Sequence, residues 1–253
     1  MPSQKLLLTL LTAGYALALT HGSLGLATLP AFLLLLASGW MARHPRWKIA
    51  GHALFILLAL SLALHWLPGF NNARVFDHVR FTPDAAPFSM NLNLDKPLIG
   101  FWLLLACPWI IMPRRTRPGL ALLAGAITLA GSLALAWLID LVHWSPKWPP
   151  DAWLWAANNL LLVSLVEEAL FRGYLQGGLQ RLVGANPALV LSALLFGLAH
   201  VGGGWPWVAL ATLAGAGYGL AWRHGGLPAA LLAHFGLNLA HFTLFTYPLL
   251  ATT

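Results

Sequence analysis

Two adjacent glutamates lie within an apolar stretch of the sequence, where charged side chains are rare. Glu167 and Glu168 follow a run rich in Leu and Val, and Arg172 comes four residues after Glu168. Neighbouring side chains on a helix point about 100° apart, whereas residues four apart lie on one face. We therefore predict that Glu168 forms an ion pair with Arg172 and that Glu167 points to a different side of the helix.

A carboxylate that has no local cation and is surrounded by apolar side chains is suited to accept a proton from water. This environment predicts a general base at Glu167. The alternative is that both glutamates pair with Arg172 and only fix the packing of helices. Buried ion pairs are costly and weak evidence for stability, which favours the first interpretation.

Two further polar motifs follow in apolar segments. The first is Phe196-x-x-x-His200, and the second is His234-x-x-x-Asn238, which His241 extends. Residues at i, i+4 and i+7 share one helical face, so the second motif forms a polar stripe. Imidazole and carboxamide groups can stabilise the oxyanion that forms when water attacks a peptide carbonyl. We expect this role for His234 and Asn238, and hydrogen bonding between helices for His241.

The spacing allows Glu167 and His200 to meet. A turn is predicted near residues 184–187, about seventeen residues after Glu167 and about fourteen before His200. In an antiparallel helix pair that rises 1.5 Å per residue, these depths agree within roughly one turn. A lone histidine at a helix end is more often a hydrogen-bonded residue than a catalyst. The matching depth of Glu167 and His200 in the predicted helix pair favours a catalytic role for both.

The elements that carry these residues are strongly hydrophobic. Of the 253 residues, 59% are apolar and 8% are charged, against about 25% charged in a soluble domain. Long apolar stretches recur without the alternating pattern of barrel strands. The sequence predicts an all-α, polytopic transmembrane helix bundle. Although the formal net charge is +7, the basic residues lie in short loops, and we expect no nucleic-acid partner.

Nine hydrophobic windows predict eight or nine spans. They cover residues 6–20, 24–42, 49–67, 98–112, 118–143, 152–176, 187–201, 206–223 and 227–249. Eight spans with a re-entrant segment is the alternative, because the first and seventh windows are short. Residues 1–253 are predicted to form a single integral membrane domain, with N-terminal spans in 1–143. The connection 68–97 cannot be a span, and we expect a solvated connector or, alternatively, a lid.

Basic residues fall mainly on one side of the predicted bundle. That side holds Lys5, Arg43, Arg46, Lys48, Arg114, Arg115, Arg117, Arg172, Arg181 and Arg223. The other side holds Arg74, Arg80, Lys96 and Lys147. Since basic loops stay in the cytoplasm, this bias predicts a cytoplasmic N-terminus. A compact chain with arginines between its apolar segments is typical of a protein of the bacterial plasma membrane.

The motifs Glu-Glu-x-x-x-Arg, Phe-x-x-x-His and His-x-x-x-Asn, in this order, resemble those of the CPBP family of intramembrane proteases. This family includes CAAX prenyl endopeptidases of the Rce type and bacterial relatives linked to bacteriocin processing or immunity. The resemblance covers about residues 150–242, which would form the catalytic core. It implies a glutamic-type endopeptidase that cuts a membrane-associated protein or peptide, as in CAAX-like processing or removal of a leader or C-terminal sorting signal.

The resemblance also implies roles for individual residues. Glu167 and His200 would activate the attacking water, and His234 and Asn238 would form the oxyanion site. Glu168 and Arg172 would support them. The expected partners are the lipid bilayer and a membrane-anchored protein or peptide substrate.

We expect no cofactor. The sequence lacks a His-Glu-x-x-His zinc motif, and its single cysteine, Cys107, cannot form a cysteine cluster. One carboxylate and two histidines could in principle hold zinc, so a metal-dependent enzyme is the alternative. Two other functions remain open: a proton-coupled transporter, whose Glu and His residues relay protons, and a non-catalytic membrane scaffold.

Overall fold

The computed structural model describes residues 2–111 and 116–251. The described residues form eight helices, which are Pro2–Leu19 (α1), Leu29–Arg43 (α2), Lys48–Ala63 (α3), Pro97–Ala106 (α4), Pro118–Leu138 (α5), Ala152–Val183 (α6), Ala185–Leu198 (α7) and Trp205–Leu244 (α8). The predicted all-α helix bundle is confirmed. Arg114 and Arg115, which the predicted charge bias includes, lie outside the described residues, as does the end of the fourth hydrophobic window.

Four of the described helical segments are long and apolar enough to cross a membrane: Leu26–Arg43, Pro118–Leu138, Ala152–Val183 and Trp205–Leu244. The shorter α1, α3, α4 and α7 are apolar as well. Large apolar side chains face outward on the longer helices, as Leu36 on α2 and Leu122 on α5 do with 71% and 76% of their surface exposed. Such faces suit a lipid surrounding. The chain is an integral membrane protein, and the count of eight or nine spans stays a prediction.

Helix α8 folds back on itself at Gly226. This glycine has φ 71° and ψ −168°, a conformation that side chains disfavour. The ring of Trp207 lies 5.9 Å from the ring of His241, whereas a straight helix would separate them by about 50 Å. Thus α8 has two antiparallel arms: a first arm, residues 205–225, and a second arm, residues 227–244. They correspond to the last two predicted windows.

Helix α5 packs against both arms of α8 through small residues. A Cβ atom at Gly217 of the first arm would overlap the side chain of Thr128. A Cβ atom at Gly125 would lie 3.3 Å from the Cβ of Ala233 on the second arm. These close approaches show that glycine at both positions serves packing, as helices in membranes commonly require.

Helix α6 changes its winding twice along its length. Residues Asn159–Ser164 and Ala169–Gln176 form π-helical turns on either side of the short α-helical piece Leu165–Glu168. Such widened turns occur frequently at functional sites because they shift the phase of the side chains. After α6 ends at Val183, Gly184 with φ 86° makes the turn into α7. This turn lies where the sequence predicts it.

The long connection between α3 and α4 is a folded element. Ser23–Leu24 (β1) pairs antiparallel with Phe70–Asn71 (β2), and Ala73–Val79 (β3) pairs antiparallel with Phe88–Leu92 (β4). Its inner face is buried at Phe76, Met90, Leu92 and Leu94. The connection is therefore not a span, as predicted, and it packs on the bundle instead of being solvated throughout.

Hydrogen bonds define the two ends of the bundle. At one end, the N–H of Arg117 donates to the carbonyl of His224 (2.7 Å), and the Arg223 guanidinium donates to the first residues of α7. At the other end, the N–H of Thr246 donates to the carbonyl of His143 (2.8 Å). Arg117 and Arg223 therefore share one end, in agreement with the predicted loop assignment.

Candidate active site

The four residues predicted to be catalytic line one cavity between α5, α6, α7 and both arms of α8, and the supporting Glu168 and Arg172 lie outside its lining. The cavity has a volume of about 120 Å³, enough for several water molecules. Its polar lining includes Glu167, His200, His234, Asn238 and His241. Much of the remaining lining is apolar, from residues such as Leu133, Ala136, Val163, Leu210 and Leu237.

Glu168 and Arg172 form a fully buried ion pair. Their side chains are 0% exposed, and Arg172 Nε donates to Glu168 Oε2 at 3.0 Å, as the four-residue spacing predicts. Arg172 Nη1 also donates to Ser192 Oγ at 3.1 Å, and its guanidinium lies 4.8 Å from the centre of the Phe196 ring. The pair therefore ties α6 to α7. The alternative in which both glutamates pair with Arg172 is not what the structure shows.

The second oxygen of Glu168 binds His234 on the second arm of α8. His234 Nδ1 lies 2.9 Å from Glu168 Oε1, and the histidine is 4% exposed. A carboxylate oxygen only accepts, so Nδ1 of His234 carries the proton. Glu168 thus fixes the orientation of the His234 ring, and this contact joins two helices.

His200 is held at the end of α7 by its own helix. Its Nδ1 lies 2.8 Å from the carbonyl oxygen of Phe196, and its ring centre is 4.7 Å from that of Phe196. Because the carbonyl oxygen can only accept, Nδ1 donates, and a neutral imidazole then presents Nε2 as an acceptor. Nε2 is the nitrogen that can act in the cavity.

Glu167 lies on the same cavity and is half-buried. Among the residues that the structure describes, none forms a hydrogen bond or an ion pair with its carboxylate. The sequence predicts this separation of roles, with the cation pairing with Glu168 and Glu167 left for the cavity.

The polar stripe on the second arm faces the cavity as a unit. Asn238 Nδ2 donates to Asn159 Oδ1 on α6 at 3.2 Å, which leaves its second N–H available. His241 Nε2 lies 3.3 Å from the carbonyl oxygen of Thr246, just beyond the arm. The hydrogen bond of His241 is local, so it is not the bond between helices that the sequence predicts for this residue.

Two polar groups of the cavity wall are missing from the sequence-based site. Tyr218 lines the cavity from the first arm and stacks on His234, with ring centres 4.6 Å apart. Ser132 lines it from α5, and its Oγ is buried without a hydrogen-bond partner in the described part of the chain. Their polarity inside predicted spans is the one sequence signal for them, and it does not single them out, because serine is common in membrane helices and neither residue belongs to the three motifs.

Across residues 2–111 and 116–251, no three His, Cys, Asp or Glu side chains come together in a way that could hold a metal ion. Both oxygens of Glu168 are already bound to Arg172 and His234. The expectation that the site works without a cofactor stays a prediction.

Comparison with protein families gives one match. Residues 149–240 match the model of a family described as type II CAAX prenyl endopeptidase Rce1-like. The match spans α6, α7 and most of α8, the helices that carry the predicted site residues, and it confirms the resemblance drawn from the three motifs. Comparisons with curated proteins and with solved structures found no significant match.

Proposed function

We propose that this integral membrane protein, whose residues 149–240 carry the CAAX prenyl endopeptidase match, hydrolyses a peptide bond with water activated by Glu167 and His200. The match of this core to the CAAX protease family supports an intramembrane endopeptidase. The observation that supports the residue roles is that the carboxylate of Glu167, which has no partner among the described residues, and the imidazole of His200 line one cavity.

The proposed reaction begins with a water molecule between these two groups. Glu167 accepts a proton from the water, while His200 Nε2 accepts its second hydrogen bond and orients it. The water oxygen forms a bond to the carbonyl carbon, and the carbonyl electrons move to the oxygen. When this intermediate collapses, the C–N bond breaks and the proton on Glu167 passes to the leaving amine.

Glu168 and Arg172 act as positioning residues in this proposal. They touch no reacting atom, but Glu168 fixes the ring of His234 through Nδ1. Asn238 retains one amide N–H toward the cavity after its bond to Asn159. Donors held in place before the reaction stabilise developing negative charge without a cost of reorganisation.

The apolar cavity wall suits a substrate segment that arrives from the membrane. We propose a membrane-anchored peptide or protein as substrate, and the family description makes a prenylated C-terminal peptide the first candidate. An unmodified leader peptide or C-terminal sorting signal is the second candidate, and the experiment below separates them.

The test uses purified protein in detergent and water enriched in ¹⁸O. One probe is a peptide ending in a prenylated cysteine and three further residues, the second is its unprenylated twin, and the third is the total membrane protein of the expression host. We expect new C-terminal carboxylates that contain ¹⁸O, because the attacking oxygen comes from water. If no probe gains ¹⁸O-labelled termini, the peptidase assignment is contradicted, and a transporter or scaffold is favoured.

Metal dependence is tested in the same assay after treatment with a chelator. We expect cleavage to persist, because Glu167 and His200 supply the proton acceptor and the orienting group themselves. Activity that the chelator abolishes and zinc restores would show that the metal-dependent alternative is correct.

We also propose a cytoplasmic N-terminus in a bacterial plasma membrane. Arg117 and Arg223 share one end of the bundle, as the charge bias predicts. A reporter that folds only in the cytoplasm should be active when it is fused to the N-terminus, and an inactive but membrane-inserted fusion would reverse the orientation.

A further inference from the structure

Tyr218 is a closely packed aromatic side chain of the cavity wall. It is 1% exposed, and its ring lies nearly parallel to that of His234, with an interplanar angle of 11°. The Phe196 ring meets it edge-on at 5.9 Å, and the Arg172 guanidinium lies 5.8 Å from its centre. These contacts fix the ring in one position, so its hydroxyl has a defined location.

The Tyr218 hydroxyl has no hydrogen-bond partner among the described residues, although the residue is buried and lines the cavity. Buried tyrosine hydroxyls normally find a partner, because an unpaired polar group away from water costs free energy. Because Tyr218 lines the cavity, a molecule in the cavity can bind this hydroxyl. In the proposed reaction, that molecule is water or substrate.

The site also needs a hydrogen-bond donor that the motif residues do not fully supply. Nδ1–H of His234 is used on Glu168, so only Nε2 of His234 is left for the cavity, and Nε2 donates only when it also carries a proton. One N–H of Asn238 is used on Asn159. The amide N–H of Asn238 is therefore the one motif donor that does not depend on a second proton on His234, whereas two donors commonly share the charge of an oxyanion.

We propose that Tyr218 is a further catalytic residue, whose hydroxyl donates a hydrogen bond to the oxyanion formed at the scissile carbonyl. This inference rests on the proposed peptidase function. When the water oxygen bonds to the carbonyl carbon, the negative charge on the carbonyl oxygen is met by the O–H of Tyr218 and the N–H of Asn238. Tyr218 keeps its proton throughout, and Glu167 carries the proton from water to the leaving amine.

The test is Tyr218→Phe, which keeps the ring that stacks on His234 and removes only the hydroxyl. In the probe that the wild type cleaves, we expect kcat to fall about 100-fold, the loss typical for one oxyanion donor, with KM within about twofold. Tyr174→Phe is the matched control. Its hydroxyl contacts His52 Nδ1 at 3.0 Å and is absent from the cavity lining, so its kcat should stay near that of the wild type.

Three outcomes decide the inference. A wild-type kcat in Tyr218→Phe contradicts it. The variant Tyr218→Leu, which also removes the ring, then tells why Tyr218 is present: if Tyr218→Leu is inactive while Tyr218→Phe is active, the ring serves only to pack against His234. An equal loss of kcat in Tyr174→Phe also contradicts it, because the effect is then not specific to the cavity. The proposed function is contradicted by different results, namely wild-type cleavage by Glu167→Gln or no cleavage of any probe. In either case the role of Tyr218 is contradicted as well, because it depends on the proposed function.

Discussion

His234 Nδ1 lies 2.9 Å from Oε1 of Glu168, in a contact that joins two helices and is buried on both sides. The same carboxylate binds Arg172 through its other oxygen. Both oxygens of Glu168 are thus occupied, whereas its neighbour Glu167 has no such partner in the described part of the chain. Two adjacent, identical side chains therefore have different tasks, and their substitution should have different effects.

The stability of the fold should depend on Glu168 far more than on Glu167. Glu168→Gln leaves the buried guanidinium of Arg172 without its counter-ion, and breaking a buried ion pair costs about 3–5 kcal/mol. Glu167→Gln breaks no ion pair and should change the free energy of unfolding by less than about 0.5 kcal/mol. Thermal unfolding of the detergent-solubilised variants measures both. Equal losses of stability would contradict the structural assignment of Glu168.

The helix-end contact of His200 has a close counterpart away from the cavity. His44 Nδ1 lies 2.8 Å from the carbonyl oxygen of Trp40, and the two rings are 4.1 Å apart. Both His200→Ala and His44→Ala remove such a contact, so we expect similar losses of stability, about 1 kcal/mol. Only His200→Ala should reduce kcat, by about 100-fold or more. Equal kcat values in the two variants would show that His200 merely caps its helix.

The geometry of Arg172 should matter as well as its charge. Its guanidinium donates to Glu168 and Ser192 from two different nitrogens, which a lysine ammonium on a flexible stem cannot reproduce. We expect Arg172→Lys to lower both the thermal midpoint and kcat, the latter about tenfold, as about 1.4 kcal/mol of lost positioning would do. Arg181→Lys is the control, since that arginine lies over Trp109 outside the cavity. Identical behaviour of the two variants would contradict this role.

The packing of α5 on α8 predicts opposite effects for two glycines. In Gly217→Ala the new methyl group would overlap the side chain of Thr128, and overpacking costs about 1–3 kcal/mol. In Gly236→Ala the methyl group meets nothing within 4 Å, so the higher helix propensity of alanine should give a neutral or slightly stabilising change. Thermal unfolding distinguishes them, and a stable Gly217→Ala would contradict the close approach.

The features that the sequence predicts correctly depend on spacing within one helix or on the antiparallel order of consecutive helices. The Glu168–Arg172 pair follows from helical spacing alone, because both residues lie on one helix. The shared cavity of Glu167 and His200 follows from equal depths in an antiparallel pair, with the turn at Gly184. The reversal at Gly226 agrees with the boundary between the last two hydrophobic windows, where Pro228 also follows.

Contacts between distant helices account for what the sequence does not predict. The bond of His234 to Glu168 depends on how the second arm rotates against α6, which hydrophobic periodicity does not determine. Ser132 reaches the cavity from α5, outside the residues that carry the motifs. The β3–β4 hairpin is not predicted either, because the connection that contains it has mixed polarity and several prolines. Packing on the bundle stabilises the hairpin.

The most direct test of the central claim is the kcat of Glu167→Gln in the ¹⁸O cleavage assay. Glutamine keeps the size of the side chain and removes its ability to accept a proton from water. The matched control is Asp140→Asn, whose carboxylate lies at the end of α5 and is 88% exposed. We predict that Glu167→Gln is folded and cleaves no probe, while Asp140→Asn cleaves like the wild type. Cleavage by Glu167→Gln at the wild-type rate would contradict the account.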